Sequence, residues 1–506
     1  MKEKIYISLA LALILLIACK KEFEGDRNLT PFPETYAIVD SVIRDSASFL
    51  TTTVSAHWYG ESKIGYITGY EVSIDNQQSW QYTKEQKGIF TLSLPVGQKE
   101  GFLPIFVRAI DNQGRKDETP AQMVFPVRNT APRIVVDAVA NKRPFSTFPV
   151  IRAVWNVVDI DGFLDIEKYE LVLNDTAQGL LDLPANFSVQ PINDSTAIVS
   201  IRIEAERIGN TFTNNCSVYT GTRTTPIEGV LNGIQYNQVN KLFIRAVDRT
   251  GNTSAWRTDS FFIKLPISDI LLVNAMRSSA SQTVNFFRAQ LGSSLVDITQ
   301  FDTLYGVATQ FRNDEFYTDA LTQSRTFALF KKIIWLTDDP NTLENCQQNT
   351  VDFFLNKGRM FIYSEFGNDF PATSQTIAFT PIEYLLKDSL GGNFRIDNNA
   401  QAIGYSTGWP VLRSSQLVNR SVRPFKTYTI SSGVFRYDTL MNAAITIQRS
   451  SGSVLWQGIN NVMSKRIRIN DNKSDLILTT LPLQNMNANN NADSLFKKIF
   501  IDELEF

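Results

Sequence analysis

The chain has 506 residues, 43% of them apolar, and 49 Lys and Arg stand against 51 Asp and Glu for a net charge of −2. That balance gives no electrostatic reason to bind nucleic acid or an anionic surface, and a chain this long can build several cores, about three at roughly 100 to 200 residues per domain. The three cysteines, Cys19, Cys216 and Cys346, include no C-x-x-C pair, and His57 is the single histidine. Cysteine-built zinc sites and dithiol redox chemistry are thereby excluded, as is His-dependent catalysis away from His57.

Lys2 and Lys4 open the chain, and Ile5 to Ala18 follows without a charge. The run is too short to span a membrane as a helix but fits the apolar region of a secretion signal. Its end, Leu16-Ile17-Ala18-Cys19, resembles the lipobox of bacterial lipoproteins. The resemblance implies cleavage after residue 18, a lipid on the Cys19 sulfur and anchorage in the cell envelope; the other reading is an ordinary signal with a chance cysteine. Residues 19–33, charged at first, then serve as a solvated tether. The acidic pair just after Cys19 also resembles the surface-export signal of some gram-negative lipoproteins, which implies an outer-membrane anchor exposed to the outside. A plain hydrophilic tether accounts for the same residues.

Next comes an internal repeat. Ile105-Phe106-Val107-Arg108-Ala109-Ile110-Asp111-Asn112-Gln113-Gly114 returns as Leu242-Phe243-Ile244-Arg245-Ala246-Val247-Asp248-Arg249-Thr250-Gly251. Apolar residues alternate, as a strand with one buried face requires, and each run ends in an Asp-x-x-Gly turn. Upstream, Tyr70-Glu71 matches Tyr169-Glu170, and Trp58 matches Trp155. This set resembles the fibronectin type III or immunoglobulin-like sandwich, over 34–128 and again over 131–265. The second copy carries an insertion at about 206–238, polar and containing Cys216, read as a long loop of binding or capping type. Asp159-Ile160-Asp161-Gly162 has the alternating carboxylates of an oxygen-rich calcium loop, with Asp159 and Asp161 as ligands. The spacing departs from an EF-hand, and Asp-x-Asp-Gly also makes an ordinary sandwich turn.

From Ser268 the pattern becomes strand, helix, strand. Ile270–Asn274 is a continuous apolar run, as in a parallel strand covered on both faces. A helix follows with Ser281 as cap, Val284, Phe287 and Leu291 on one face and Gly292 at its end. Leu295–Ile298 reads as the second strand and Lys332–Leu336 as the third. Asp339-Pro340 reads as the start of a helix whose inner face is Leu343, Cys346, Thr350, Val351 and Phe354. Gly358–Tyr363 and Leu476–Leu478 complete the strands, and a closing helix runs from about Asp493 to Leu504. The intervening 368–475 reads as strands and loops.

This order predicts a flavodoxin-like α/β domain over 268–506. It resembles the class I glutamine amidotransferase-like fold, in which a cysteine on a tight turn after the fourth strand is deprotonated by a histidine. Here that turn is Tyr363-Ser364-Glu365-Phe366-Gly367: Glu365 stands where the cysteine would, and no histidine exists to activate it or Ser364. The ligand-binding candidates are Asn274, Asp302, Asp338 and Glu365, expected at the carboxyl ends of the strands. The expectation is a multidomain, non-catalytic envelope protein that needs no cofactor, holds the membrane through Cys19 and binds a glycan or an outer-membrane protein partner. The alternative is a carboxylate hydrolase using Asp338 and Glu365. Trp58, Trp155 and Trp335 lie in strand patterns and belong to cores.

Overall fold

A computed structural model describes residues 31–506, apart from 46–47, 95–97, 99, 137–142, 178, 187–188, 221–224, 278–279, 307–314, 368, 420–421 and 430–432. The expected signal, Cys19 and residues 20–30 of the tether lie outside the described residues. The chain folds as two compact units, one reaching to Pro132 and including Asp159–Ile166 and Asp248–Thr253, the other holding the remaining residues to Phe506.

In the first unit, Glu34–Asp45, Ser48–Glu61 and Lys87–Ser93 form one antiparallel sheet, and Gln81–Thr83, Ile67–Ser73, Glu100–Asp111 and Ala121–Arg128 form another, in that spatial order. Val54, Ala56 and Trp58 on one sheet face Ile105, Val107 and Ala109 on the other, because alternate residues of a strand point to one side. This is a β-sandwich, as the alternation predicted. The Asp111 turn closes through positive-φ Gly114, while Asp111 Oδ1 accepts the N–H groups of Gln113 and Arg115.

The repeat region of the second unit builds a second sandwich. Leu231–Asn232, Thr211–Thr220, Thr196–Ile208, Val150–Val158 and Arg133–Val135 run across one sheet, and Leu181–Pro184, Ile166–Leu173, Gln238–Asp248, Arg257–Ile263 and Ser146–Thr147 across the other. Trp155 meets Tyr169 edge-on at 6.0 Å, as Trp58 meets Tyr70 at 6.3 Å in the first copy. The insertion is not one long loop. Thr196–Ile208 pairs with Thr211–Thr220 in a hairpin, and Cys216 is a fully buried strand residue whose thiol burial pushes up to about 12. Its apolar partners, Val218 among them, alternate with polar residues, a signal masked in the sequence by the many Thr and Asn.

Residues 268–506 contribute a nine-stranded mixed sheet. Its parallel half orders Asp302–Tyr305, Ile270–Ala275, Lys332–Thr337, Arg359–Ser364 and Lys473–Thr479; antiparallel Asn461–Arg468, Phe435–Ala443, Gln401–Gly404 and Leu412–Arg413 continue it. With 47% strand and 12% helix in the chain, an α/β domain in the full sense expected is not supported: helices are few. The apolar runs at 270–274, 332–336, 358–363 and 476–478 are strands, buried on both faces.

Several local expectations need correction. Leu295–Ile298 is a turn after the helix Ala280–Leu291: Asp297 has φ 56°, Ile298 N–H bonds the Leu291 carbonyl, and Val296 and Ile298 are buried in the core without a strand. Ser281 is the second residue of that helix. Asp339 starts the turn before the helix Thr342–Asn349, its carboxylate accepting the N–H of Asn341 at 3.1 Å. The chain then breaks step at Thr350, which rotates the next turn, so Val351 is 57% exposed and Phe353 takes the buried place instead. Leu343 and Cys346 are fully buried, as expected of a core face.

Candidate functional site

The carboxyl edge of the parallel strands gathers three of the four candidate ligand residues. Asn274, Asp338 and Glu365 follow or end neighbouring strands in register, since Ala275 pairs Thr337 and Thr337 pairs Ser364. Asp302 does not join them. It begins its strand, opposite Leu271, and its carboxylate accepts the N–H groups of Ile267 and Ser268 at 3.0 and 3.1 Å. That places it at the other edge, fastening the chain's entry into the sheet. The displacement follows from the strand lying later than Leu295–Ile298.

At the edge itself the carboxylates serve as backbone and side-chain acceptors. Asp338 Oδ1 takes the Arg277 N–H at 2.7 Å, and Glu365 takes the Tyr363 hydroxyl at 2.7 Å. Tyr363 is fully buried; burial, with the charges of Glu365 and Asp338 adding to it, holds its hydroxyl far above the usual range. Asn274 Oδ1 accepts the Met276 N–H at 3.2 Å. Ser364 is fully buried, so its hydroxyl has no access to a substrate, and Cys346 packs its sulfur 3.5 Å from that of Met360. His57 stands alone on the first sandwich, its ring bonded to Asp40 at 2.5 Å.

A second feature of the C-terminal region is an open cleft of about 590 Å³ on the antiparallel half of the sheet. Tyr428 and Tyr437 sit 5.2 Å apart along its wall, and Tyr405 is 70% exposed at its rim. Trp409, in the same wall, reaches its place because Gly404 carries no side chain: a Cβ there would stand 2.2 Å from the Trp409 Cβ. Exposed Asp438 and the side chains of Lys426 and Lys465 line the same space. Beneath lies a bonded floor, where Asn461 Nδ2 donates to Thr427 Oγ1 at 2.7 Å and to Ser464 Oγ at 2.8 Å. Sequence reading missed this cleft because its aromatic residues come from segments that look like ordinary strands and loops. The tryptophans read as core, Trp58, Trp155 and Trp335, are at most 2% exposed.

The calcium-loop candidates are both buried and both accept backbone N–H groups. Asp159 Oδ1 accepts the Asp161 N–H at 3.0 Å, and Asp161 Oδ2 accepts the N–H of Thr130. Gly162, at φ 112°, closes that turn in a backbone region open chiefly to glycine.

No family model and no curated protein matches the chain. Among solved structures, fibronectin(III)-like modules of Clostridium thermocellum CbhA align with 46% of this chain and 95% of theirs, at 11% identity and a TM-score of 0.15. The alpha chain of the chicken interferon gamma receptor aligns with 46% of this chain and 99% of its own, at 8% identity and a TM-score of 0.17. The central fibronectin-III array of RIM-binding protein aligns at 11% identity, a TM-score of 0.15, and 46% and 97% coverage. Overlap that loose carries no argument about this chain, whose sandwich assignment rests on its own strand order.

Proposed function

We propose that this is a lipid-anchored protein of the cell envelope whose C-terminal region binds a glycan without cleaving it. The observation that carries the binding half is the aromatic cleft at Tyr405, Trp409, Tyr428 and Tyr437. A sugar ring presents an apolar C–H face and a rim of hydroxyls; tyrosine and tryptophan rings suit the first, and Asp438 and Lys426 suit the second. The lipid anchor rests on the sequence at Cys19, and the acidic pair after it favours the outer membrane. The parallel half of the sheet, in the order second, first, third, fourth, fifth, has the strand order of flavodoxin-like folds. It supports reading 268–506 as an amidotransferase-like scaffold that has lost its Cys-His pair. Asp338 and Glu365, each already serving as a structural acceptor, fit a supporting role better than acid–base chemistry.

The test is a binding screen of the purified chain against soluble and insoluble glycans, with Tyr428→Ala and Tyr437→Ala beside it. Binding that falls at least tenfold in either variant supports the reading. Equal binding by wild type and variants, or none by any, overturns the cleft. Hydrolysis of a bound glycan that is lost in Glu365→Gln replaces the non-catalytic reading with the carboxylate hydrolase. Fatty-acid labelling of wild type and Cys19→Ala checks the anchor separately: a processed wild-type protein that takes up no label removes it.

A further inference from the structure

The two Asp-x-x-Gly turns of the repeat neutralise their aspartates differently. Asp111 is bonded by Arg115 through Nε at 2.8 Å and Nη2 at 2.5 Å. Four residues after Asp248 stands Asn252, which offers no charge. Asp248 Oδ1 still accepts the N–H groups of Thr250 and Asn252 at 2.9 and 2.8 Å, and Oδ2 accepts Asn129 Nδ2 at 2.6 Å. Instead of a cation, two further carboxylates come to it. One oxygen each of Asp159, Asp165 and Asp248 lies within 4.8 Å of the others. The first copy has Ser62 four residues after its tryptophan and Tyr66 four before its tyrosine, at the places of Asp159 and Asp165.

These groups are deeply buried: Asp159 is 1%, Asp165 7% and Asp248 0% exposed. Asp159 Oδ2 and Asp165 Oδ2 have no hydrogen-bond partner among the described residues, and neither does Asn129 Oδ1, on the amide that bonds Asp248. Buried oxygens left in that state point to a ligand, since desolvated carboxylates are costly unless paired, coordinated or protonated. Burial, reinforced by the neighbouring carboxylates, pushes Asp159 up to about 7; burial and the charge of Asp248 push Asp165 up to about 6. Asp161 adds another buried carboxylate beside them, and among the described residues the cation acting on Asp165 is Arg249, whose side chain is exposed.

We propose that Asp159, Asp165 and Asp248, with the side-chain oxygen of Asn129, bind one calcium ion. The set is all oxygen, with no nitrogen or sulfur ligand, which selects a hard cation. Short turns carrying monodentate carboxylates suit the larger, more tolerant coordination of Ca²⁺ over the strict octahedron of Mg²⁺. The ion would join three segments distant in the sequence, around Asn129, Asp159–Asp165 and Asp248–Asn252, all within the first unit. Asp161, read as a ligand from its spacing, instead anchors the Thr130 N–H.

The experiment titrates calcium chloride into the chelator-stripped full chain by calorimetry and follows thermal unfolding with and without the ion, using magnesium chloride as comparator. The expected result is one calcium per chain and a melting temperature raised by several degrees, with at least tenfold weaker binding in Asp159→Asn and Asp248→Asn. Asn252→Arg, which restores the first copy's arrangement, should abolish the calcium-dependent rise while keeping the fold. Asp111→Asn in the first copy should leave calcium binding intact. No calcium uptake by the wild type at millimolar concentration overturns the proposal. So does uptake unchanged in Asp159→Asn, Asp248→Asn and Asn252→Arg. A wild type indifferent to calcium whose Asn variants melt higher would mean that the cluster is held protonated, and the site falls with it.

Discussion

The first and second sandwiches share a signature and differ in their surroundings. In both, a tryptophan packs edge-on against a tyrosine, and the glutamate after that tyrosine bonds the arginine of the long late strand: Glu71 with Arg108 at 2.7 Å, Glu170 with Arg245 at 2.5 Å. In both, that arginine lies over a second tryptophan, Trp80 at 3.9 Å and Trp256 at 4.5 Å. The first copy's described core cluster is drawn from its own two sheets. The second shares one with residues 268–506, where Phe148 enters the cluster of Leu271, Trp335 and Phe330, and the Tyr317 hydroxyl bonds Thr147 Oγ1 and the Val150 carbonyl at 2.9 Å each. The added hairpin strengthens that link through Glu204, which accepts from Arg325 at 2.8 Å. A repeat therefore preserves what makes a sandwich, while the positions that differ decide what each copy does for its neighbours.

The largest effect expected from this contrast is on a fragment. Residues 265–506 expressed alone lose Phe148 from their core and leave the buried Tyr317 hydroxyl without its acceptors. The fragment should be insoluble or lack a cooperative thermal transition, whereas 133–506 should fold. A cooperative transition of 265–506 at the full chain's melting temperature would mean that the shared core contributes little.

Next come the matched tryptophans. Trp58→Ala and Trp155→Ala each remove a ring at most 2% exposed, at a cost of about 3–5 kcal/mol by denaturant unfolding. Comparable losses support equal roles. A loss below about 1 kcal/mol in one copy would show that its ring packs against a site able to relax.

The smallest effect concerns the matched glutamates. Burial raises both, but the bonds from Lys116 and Arg108, and from Lys168 and Arg245, outweigh it, so Glu71 and Glu170 titrate below the usual range. Their stabilisation is thus present above the unfolded-state value and lost as pH falls through the folded one. Glu71→Gln and Glu170→Gln should each cost about 1–2 kcal/mol at pH 7. The difference from wild type should fade below about pH 4. A loss that persists in acid would assign the effect to shape rather than charge.

Much of the fold is legible along the chain. Alternation at Val54-Ser55-Ala56-His57-Trp58 and the repeated Asp-x-x-Gly runs mark sandwich strands, and unbroken apolar runs at 270–274 and 332–336 mark doubly covered ones. Where the reading slipped, local pattern was ambiguous. Val296 and Ile298 alternate like a strand but are a helix's trailing turn, and the Thr- and Asn-rich hairpin looks like a loop. The candidate edge was partly legible: Asn274, Asp338 and Glu365 lie at the ends of strands found by hydrophobicity, and Asp302 lies elsewhere because its strand starts later in the chain.

By itself the sequence determined the repeat, the sandwich cores, the short apolar run ahead of Cys19 and the lack of a histidine in the C-terminal region. These depend on residue type and short-range period, which a linear reading preserves. The tertiary structure alone decided that Tyr405, Tyr428 and Tyr437 share a cleft, and that Asp159, Asp165 and Asp248 meet around oxygens without a proton donor. Binding chemistry depends on distance and desolvation among residues far apart in the chain, and no spacing along the sequence records either.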